Sequence, residues 1–259
     1  MRLNSTDQVK RGWVGRSSAD TLTYRQRLAG AQAGLQWLEC GEFALPPGSC
    51  SHNFAFPQRE CLLAMWKGNA VVAAGENEFS LEHYDMLYLP LGCAFALRNE
   101  TPEWATVLAF TAPASNPHPL LHIRFREIST REERIRHLKG KDVFLMLNAT
   151  EPADKLLAGY TFFQPWQRSW PPHNHTDQEE IYFFTRGRGA MEVYESPETL
   201  SFVVEVREGD LVSIPVLNYH PVFSQQEPLE FLWCIAGARY WVGDKVPAFL
   251  QGESRAITT

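Results

Sequence analysis

Long apolar runs are missing from this chain: no stretch approaches 18 consecutive apolar residues, and Met1 to Gly12 is polar with no apolar signal core. Both absences argue against membrane insertion and export. Basic blocks are missing as well. With 24 Lys and Arg against 30 Asp and Glu, a net charge of −6 and a pI near 5.8, no positive face offsets the general negative field. Nucleic acid and anionic membrane are therefore poor partners, and small molecules better ones. Cysteine is sparse too: Cys40, Cys50, Cys61, Cys93 and Cys234 are odd in number, scattered and without C-x-x-C spacing, which reads as reduced thiols in a cytoplasmic protein. Apolar residues, by contrast, make up 44% of 259 residues and aromatics 12%, ample for one large or two ordinary cores.

Against this background one stretch concentrates chemistry: Pro171-Pro172-His173-Asn174-His175-Thr176-Asp177-Gln178-Glu179-Glu180-Ile181-Tyr182. Side chains on a strand alternate faces, so His173 and His175 point the same way and both imidazoles can reach one ion. Glu180, opening the next strand, can supply a harder ligand, and His220 a fourth. The joint spacing is H-x-H, four residues, Glu180, six residues, Gly187, and later Gly209, five residues, Pro215, four residues, His220. It resembles the two-part signature of metal-binding cupin barrels. Leu217 and Ser224 stand where that pattern expects Gly and Asn, and neither is a ligand position.

The rest of the chain reads as short strands broken by turns. Residues 1–33 form a polar arm, 34–120 a first barrel, 121–145 a linker, 146–247 a second, metal-binding barrel, and 248–259 a tail. Strand-like runs include Leu35–Glu39, Glu60–Trp66, Met86–Leu89 and Ala105–Ala112, while the charged stretch Ser129–Lys141 could make a short helix or a solvated strand. The halves repeat. Leu62–Gly68 lies over Ile181–Gly187, and His83–Gly92 over Glu208–Leu217 with both prolines at one turn. On this register the four candidate ligands fall on Phe54, Phe56, Cys61 and Phe95, which build no such ion site. The expected fold is all-β, a bicupin of two tandem double-stranded β-helix (jelly-roll) barrels, only the second holding metal.

The second half resembles the bicupin sugar-acid isomerases, 5-deoxy-glucuronate isomerase of inositol catabolism and 4-deoxy-L-threo-5-hexosulose-uronate ketol-isomerase of pectin breakdown. The likeness rests on Pro171–His175, Glu179–Tyr182, Gly187-Arg188-Gly189 with Val193-Tyr194, Tyr219–Val222, Phe231–Gly237 and Pro152–Leu156. Departures are Phe144-Leu145 where the family has His-Asn, Met191-Glu192 where it has Gln-Arg, and a shorter metal turn. The resemblance implies a metal-dependent aldose–ketose isomerase acting on a uronate. One divalent ion (Zn, Mn, Fe, Ni or Co) held by His173, His175, Glu180 and His220 would leave about two octahedral positions for a carbonyl and its neighbouring hydroxyl, stabilising an enediolate. Parity from Glu180 turns Tyr182 and Arg186 toward the same interior, making Tyr182 a candidate proton carrier, Arg186 with nearby Arg188 candidate carboxylate partners, and Glu192 an alternative base. The partner is a small sugar acid, with a homo-oligomer possible. An iron-dependent dioxygenase and a non-catalytic sugar-acid-binding cupin remain as other readings of the same ligand set.

Overall fold

A computed structural model describes residues 23–28, 30–169, 172–196, 198–240 and 255–256. Most of the expected arm and tail, with Trp170 and Pro171, lie outside the described residues. In chain order the first half contributes β1 (Thr23–Leu28), β2 (Glu39–Leu45), β3 (Arg59–Lys67), β4 (Ala70–Ala74), β5 (Asn77–Leu81), β6 (Met86–Leu89), β7 (Phe95–Arg98), β8 (Ala105–Pro113) and β9 (Leu121–Ile123). A one-turn helix, α1 (Phe125–Ile128), and a 3-10 turn at Glu132–Arg134 lead into the second half. That half comprises β10 (Ile135–Leu138), β11 (Lys141–Leu147), β12 (Leu156–Phe163), β13 (Gln167–Arg168), β14 (Gln178–Arg186), β15 (Arg188–Ser196), β16 (Thr199–Arg207), β17 (Leu211–Ile214), β18 (Val222–Ser224), β19 (Leu229–Gly237) and β20 (Arg255–Ala256). Among the described residues no helix is long and apolar enough to cross a membrane.

Each half pairs a six-stranded sheet with a smaller one. The order β1-β2-β8-β3-β6-β9 faces β5-β4-β7, and β10-β11-β12-β19-β14-β17 faces β16-β15-β18-β13-β20. The central strands β3 and β14 are buried on both faces, which is why each reads as an almost unbroken apolar run. One face of β3 sends Cys61, Leu63 and Met65 into the first barrel; the other sends Leu62, Ala64 and Trp66 against the partner sheet. Likewise Tyr182 and Phe184 fill the second barrel, while Ile181 and Phe183 meet the first half. Three cores result, two inside the barrels and one between the large sheets. Gly68 and Gly187 end the two strands at φ +72° and +86°; a Cβ on Gly187 would stand 2.0 Å from the Pro228 carbonyl oxygen, so glycine is obligatory there.

The phenyl set of the first barrel gathers as the duplicated register requires. Phe54 and Phe56 each lie 6.2 Å from Phe95 by ring centroids, and Phe43 packs against Phe54 at 4.9 Å. Two stretches differ from expectation. Thr23–Leu28, inside the expected arm, pairs with β2 as an edge strand, and Ile135–Leu138 pairs with Lys141–Leu147 across a Gly140 turn at φ +74°, so the charged stretch is largely a strand hairpin and β11 belongs to the second barrel rather than to a linker. Leu35–Leu38 is not strand: the backbone N–H groups of Gln36, Trp37 and Leu38 donate to the Glu179 carboxylate at 2.7, 2.6 and 2.5 Å instead of to a sheet neighbour.

That contact has a mirror in the first half. Glu60, fully buried, accepts from the backbone N–H groups of Asp154 (2.8 Å), Lys155 (2.7 Å) and Leu156 (3.0 Å) and from the Tyr88 hydroxyl (2.7 Å). Each barrel thus offers a carboxylate to the segment entering the other. Removing a buried charged acceptor leaves its donors without partners, so Glu60→Ala is expected to destabilise the protein by about 3 kcal/mol or more. Urea unfolding checks this; a loss under about 1 kcal/mol would mean that water or a neighbour replaces those bonds.

Candidate metal centre

His173 and His175 sit on the extended segment that enters β14, Glu180 on β14 itself, and His220 just past the turn that follows β17. The strand register carries Glu180 opposite Ile214, so the end of β17 and its turn arrive beside the start of β14. A backbone bond from the Leu217 N–H to the His175 carbonyl, 2.6 Å, ties the two motif halves together. The ligand atoms of His173, His175 and His220 all lie within 4.8 Å of one another. Glu180 Oε2 stands 3.2 Å from Nε2 of both His175 and His220, so the carboxylate meets the triad at two of its three imidazoles.

The neighbours assign the tautomers. His220 Nδ1 is 2.7 Å from the Asn218 carbonyl oxygen, which only accepts, so Nδ1 carries the proton and Nε2 presents a lone pair inward. His175 Nδ1 is 2.9 Å from Gln178 Oε1, and the Gln178 amide nitrogen donates to the carbonyls of Ala238 and Tyr240, which fixes the amide orientation and again leaves Nε2 as the inward lone pair. His220 Nε2 is buried with no hydrogen-bond partner, because its approach to Glu180 lacks the alignment of a hydrogen bond. Burial first, then the charges of His220, His175 and Lys141, push His173 well below the ordinary imidazole value and keep it neutral. Burial works to raise Glu180, but the adjoining His175 and His220 outweigh it and hold the carboxyl below its usual range. Converging lone pairs and a carboxylate oxygen repel unless a cation lies among them, and this N,N,N,O donor set fits a first-row divalent ion.

The cluster opens into a cavity of about 300 Å³, at the small end of the roughly 300–1,000 Å³ range of ligand pockets. Its walls are largely apolar, with Leu145, Phe163, Phe231 and Trp233 among them. Tyr182 lines it; burial and the Glu180 carboxylate raise its phenol well above an ordinary tyrosine. Three expected residues are elsewhere. Arg186 is exposed and pairs with Glu230 at 3.2 Å, because a bulge between Phe184 and Arg186 breaks the strict alternation that parity assumed. Arg188 is exposed beyond the Gly187 turn and does not line the cavity. Glu192 is held by Arg168 and the Tyr194 hydroxyl rather than lining the cavity, whereas Met191, its neighbour on β15, packs into the barrel core.

Other residues are present that motif reading did not flag. Lys141, Val143 and Leu145, alternate positions of β11, all line the cavity, and Lys141 is buried with its ammonium donating to Ser169 Oγ at 2.8 Å. Burial lowers its pKa to about 8. The period-2 signal was there to be read after Gly140, but the surrounding charge made the stretch look solvated. Gln178, which orients His175, left no motif signal at all.

Residues 14–250 match the model of the KduI/IolB family. An IolB-like protein of Salmonella typhimurium LT2, known from its crystal structure, superposes with a TM-score of 0.71 at 22% identity, over 86% of this chain and 95% of that one. A putative glyoxylate-induced protein from Pseudomonas aeruginosa gives 0.68 at 14%, over 86% and 83%. The oxalate decarboxylase of Lactobacillus farciminis, in its formate complex, gives 0.72 at 13%, over 93% and 88%. At such identities the likeness shows the fold alone, the tandem-barrel bicupin. No curated protein matches the chain.

Ligand imidazoles must be unprotonated, so protons compete with the ion for the Nε2 lone pairs, and occupancy is expected to fall as pH drops through and below the free histidine value of about 6.5. Elemental analysis after dialysis at stepped pH should give one divalent ion per chain at neutrality and none in His173→Ala plus His220→Ala. Two ions per chain, or one surviving the double substitution, would locate the metal elsewhere.

Proposed function

From membership of the KduI/IolB family, to which this chain belongs, we propose that it is a metal-dependent aldose–ketose isomerase acting on a sugar acid such as 5-deoxy-glucuronate or a related uronate. The family's members are ketol-isomerases, so the reaction class is an intramolecular oxidation–reduction. The observation that carries the reading is the convergence of three imidazoles and the Glu180 carboxylate on one side of a monosaccharide-sized cavity.

His173, His175, Glu180 and His220 would hold a divalent ion, which would supply Lewis-acid polarisation of adjacent carbonyl and hydroxyl oxygens, an effect worth several kcal/mol. The chain's own residues do the rest. Gln178 and the Asn218 carbonyl keep His175 and His220 in the ligating tautomer. Tyr182, a phenol kept protonated by burial and Glu180, holds or delivers a proton at a substrate oxygen rather than abstracting one from carbon. The apolar walls exclude water, which strengthens every charge–dipole contact inside and protects the intermediate from side reactions. Proton transfer between neighbouring carbons needs no external oxidant or reductant. Five free cysteines suit a cytoplasmic setting, and a homo-oligomer is compatible with the fold.

The test is turnover of 5-deoxy-glucuronate by metal-loaded protein in deuterated water under nitrogen. Ketose product carrying solvent deuterium beside the carbonyl is expected. A requirement for oxygen would assign the site to dioxygenase chemistry, and tight binding with no exchange would make the protein a binding module. Tyr182→Phe should lower kcat by about 10²–10⁴-fold, the usual range of a proton-transferring side chain, with metal content unchanged.

A further inference from the structure

The cavity contains a cation that no carboxylate of the described residues neutralises. Lys141 is 8% exposed, yet among the described residues its ammonium meets the Ser169 hydroxyl, at 2.8 Å, and the Phe163 ring, 5.1 Å from the centroid. Three buried or half-buried arginines are paired with carboxylates, Arg27 with Glu42, Arg134 with Glu151 and Arg168 with Glu192, and half-buried Arg239 is held by the Glu151, Ala153 and Asn148 carbonyls. An ammonium out of water without a counter-ion is costly, and a hydroxyl and a ring face offset little of that cost. Among the described residues the cavity lining holds one carboxylate, Glu180, which is turned to the imidazoles.

We propose that Lys141 is the anchor for the substrate's carboxylate, with the acid end of the sugar against Lys141 and Ser169 and its carbonyl end toward the histidine cluster. The proposal rests on the sugar-acid reading of the cavity and replaces Arg186 and Arg188 as the carboxylate partners. The two ends of a six-carbon uronate are the functional groups farthest apart in it, so anchoring one end orients the other, and a neutral sugar of the same size has nothing to satisfy the ammonium. Lys141 reaches the metal side electrostatically, since its charge depresses the basicity of His173.

The test is calorimetric titration of metal-loaded protein with D-glucuronate and with D-glucose. Wild type should bind glucuronate more tightly by roughly 10- to 100-fold, the range of a charge-assisted hydrogen bond, and Lys141→Met should abolish that difference while leaving glucose binding and metal content unchanged. Without ligand, Lys141→Met should melt at or above the wild-type temperature at neutral pH, since it removes an uncompensated buried charge; this separates a lost anchor from a misfolded barrel. Lys141→Gln, which keeps a donor without charge, should lose the preference as well. Retention of the preference in either variant, or its absence from wild type, overturns the proposal. Turnover measured in parallel keeps the two readings apart: Lys141-dependent uronate binding without isomerisation removes the isomerase reading and leaves the anchor, whereas isomerisation with unchanged KM in Lys141→Met does the reverse.

Discussion

Two adjacent carboxylates on β14 set the frame for the rest. Glu179 and Glu180 point to opposite faces of a strand that is buried on both, one into the seam between the halves and the other into the second barrel. Glu179 takes three backbone N–H groups of the segment entering the first barrel, and Glu60, its counterpart on β3, takes three from the segment entering the second. The Glu180 carboxylate is therefore carried on a strand whose neighbouring residue is locked to the other half of the molecule. A one-residue slip of β14 would put Gln178 at the seam in one direction or Ile181 at the histidine cluster in the other, removing one carboxylate or the other, so register here carries both stability and chemistry.

The duplicated halves show how small a change separates scaffold from site. In the first barrel Phe54, Phe56 and Phe95 close on one another and on Phe43, and the interior is filled. In the second, His173 and His175 approach His220 to 4.6 and 5.3 Å by ring centroids, closer than the phenyls they replace, but each imidazole needs a partner for both nitrogens. The fold provides the outer partners of His175 and His220 through Gln178 and the Asn218 carbonyl, and leaves the inner lone pairs for an ion. Substituting rings of similar size kept the barrel and added an electrostatic demand. The space the phenyls fill in the first half remains open as a cavity in the second.

Legibility followed how local each signal is. The tandem barrels and the clustering of the candidate ligands could be read because they rest on period-2 alternation, turn glycines and fixed spacing, all properties of short segments. The arginine placements failed at a single bulge: parity held from Glu180 through Tyr182 to Phe184 and broke before Arg186. Glu192 failed differently, since its distance along the sequence carries no information on which sheet face β15 presents. Leu35–Leu38 looked like strand by composition, yet its N–H groups are claimed by a carboxylate 141 to 143 residues away, a contact no local pattern encodes. Lys141 was hidden by context, being the last residue of a charged run and also the first of a cavity-facing alternation.

Leu217 shows what the ligand geometry demands of the backbone. It occupies a left-handed conformation, φ +67°, at the position where the cupin pattern has glycine, and a branched side chain there costs about 1–2 kcal/mol. The turn survives because it is held at several points: the Leu217 N–H bonds to His175, the Asn218 amide reaches the Pro215 and Val216 carbonyls at 2.9 Å, and the Leu217 side chain, 48% exposed, meets no clash in solvent. Asn218 is then fixed, and its carbonyl fixes the proton on His220 Nδ1. A relaxed extended path through residue 217 would release the bond to His175 and move the Asn218 carbonyl, so the strain at the turn and the tautomer of the ligand are one constraint. It is why the chain can give up the glycine and still keep His220 aimed at Glu180.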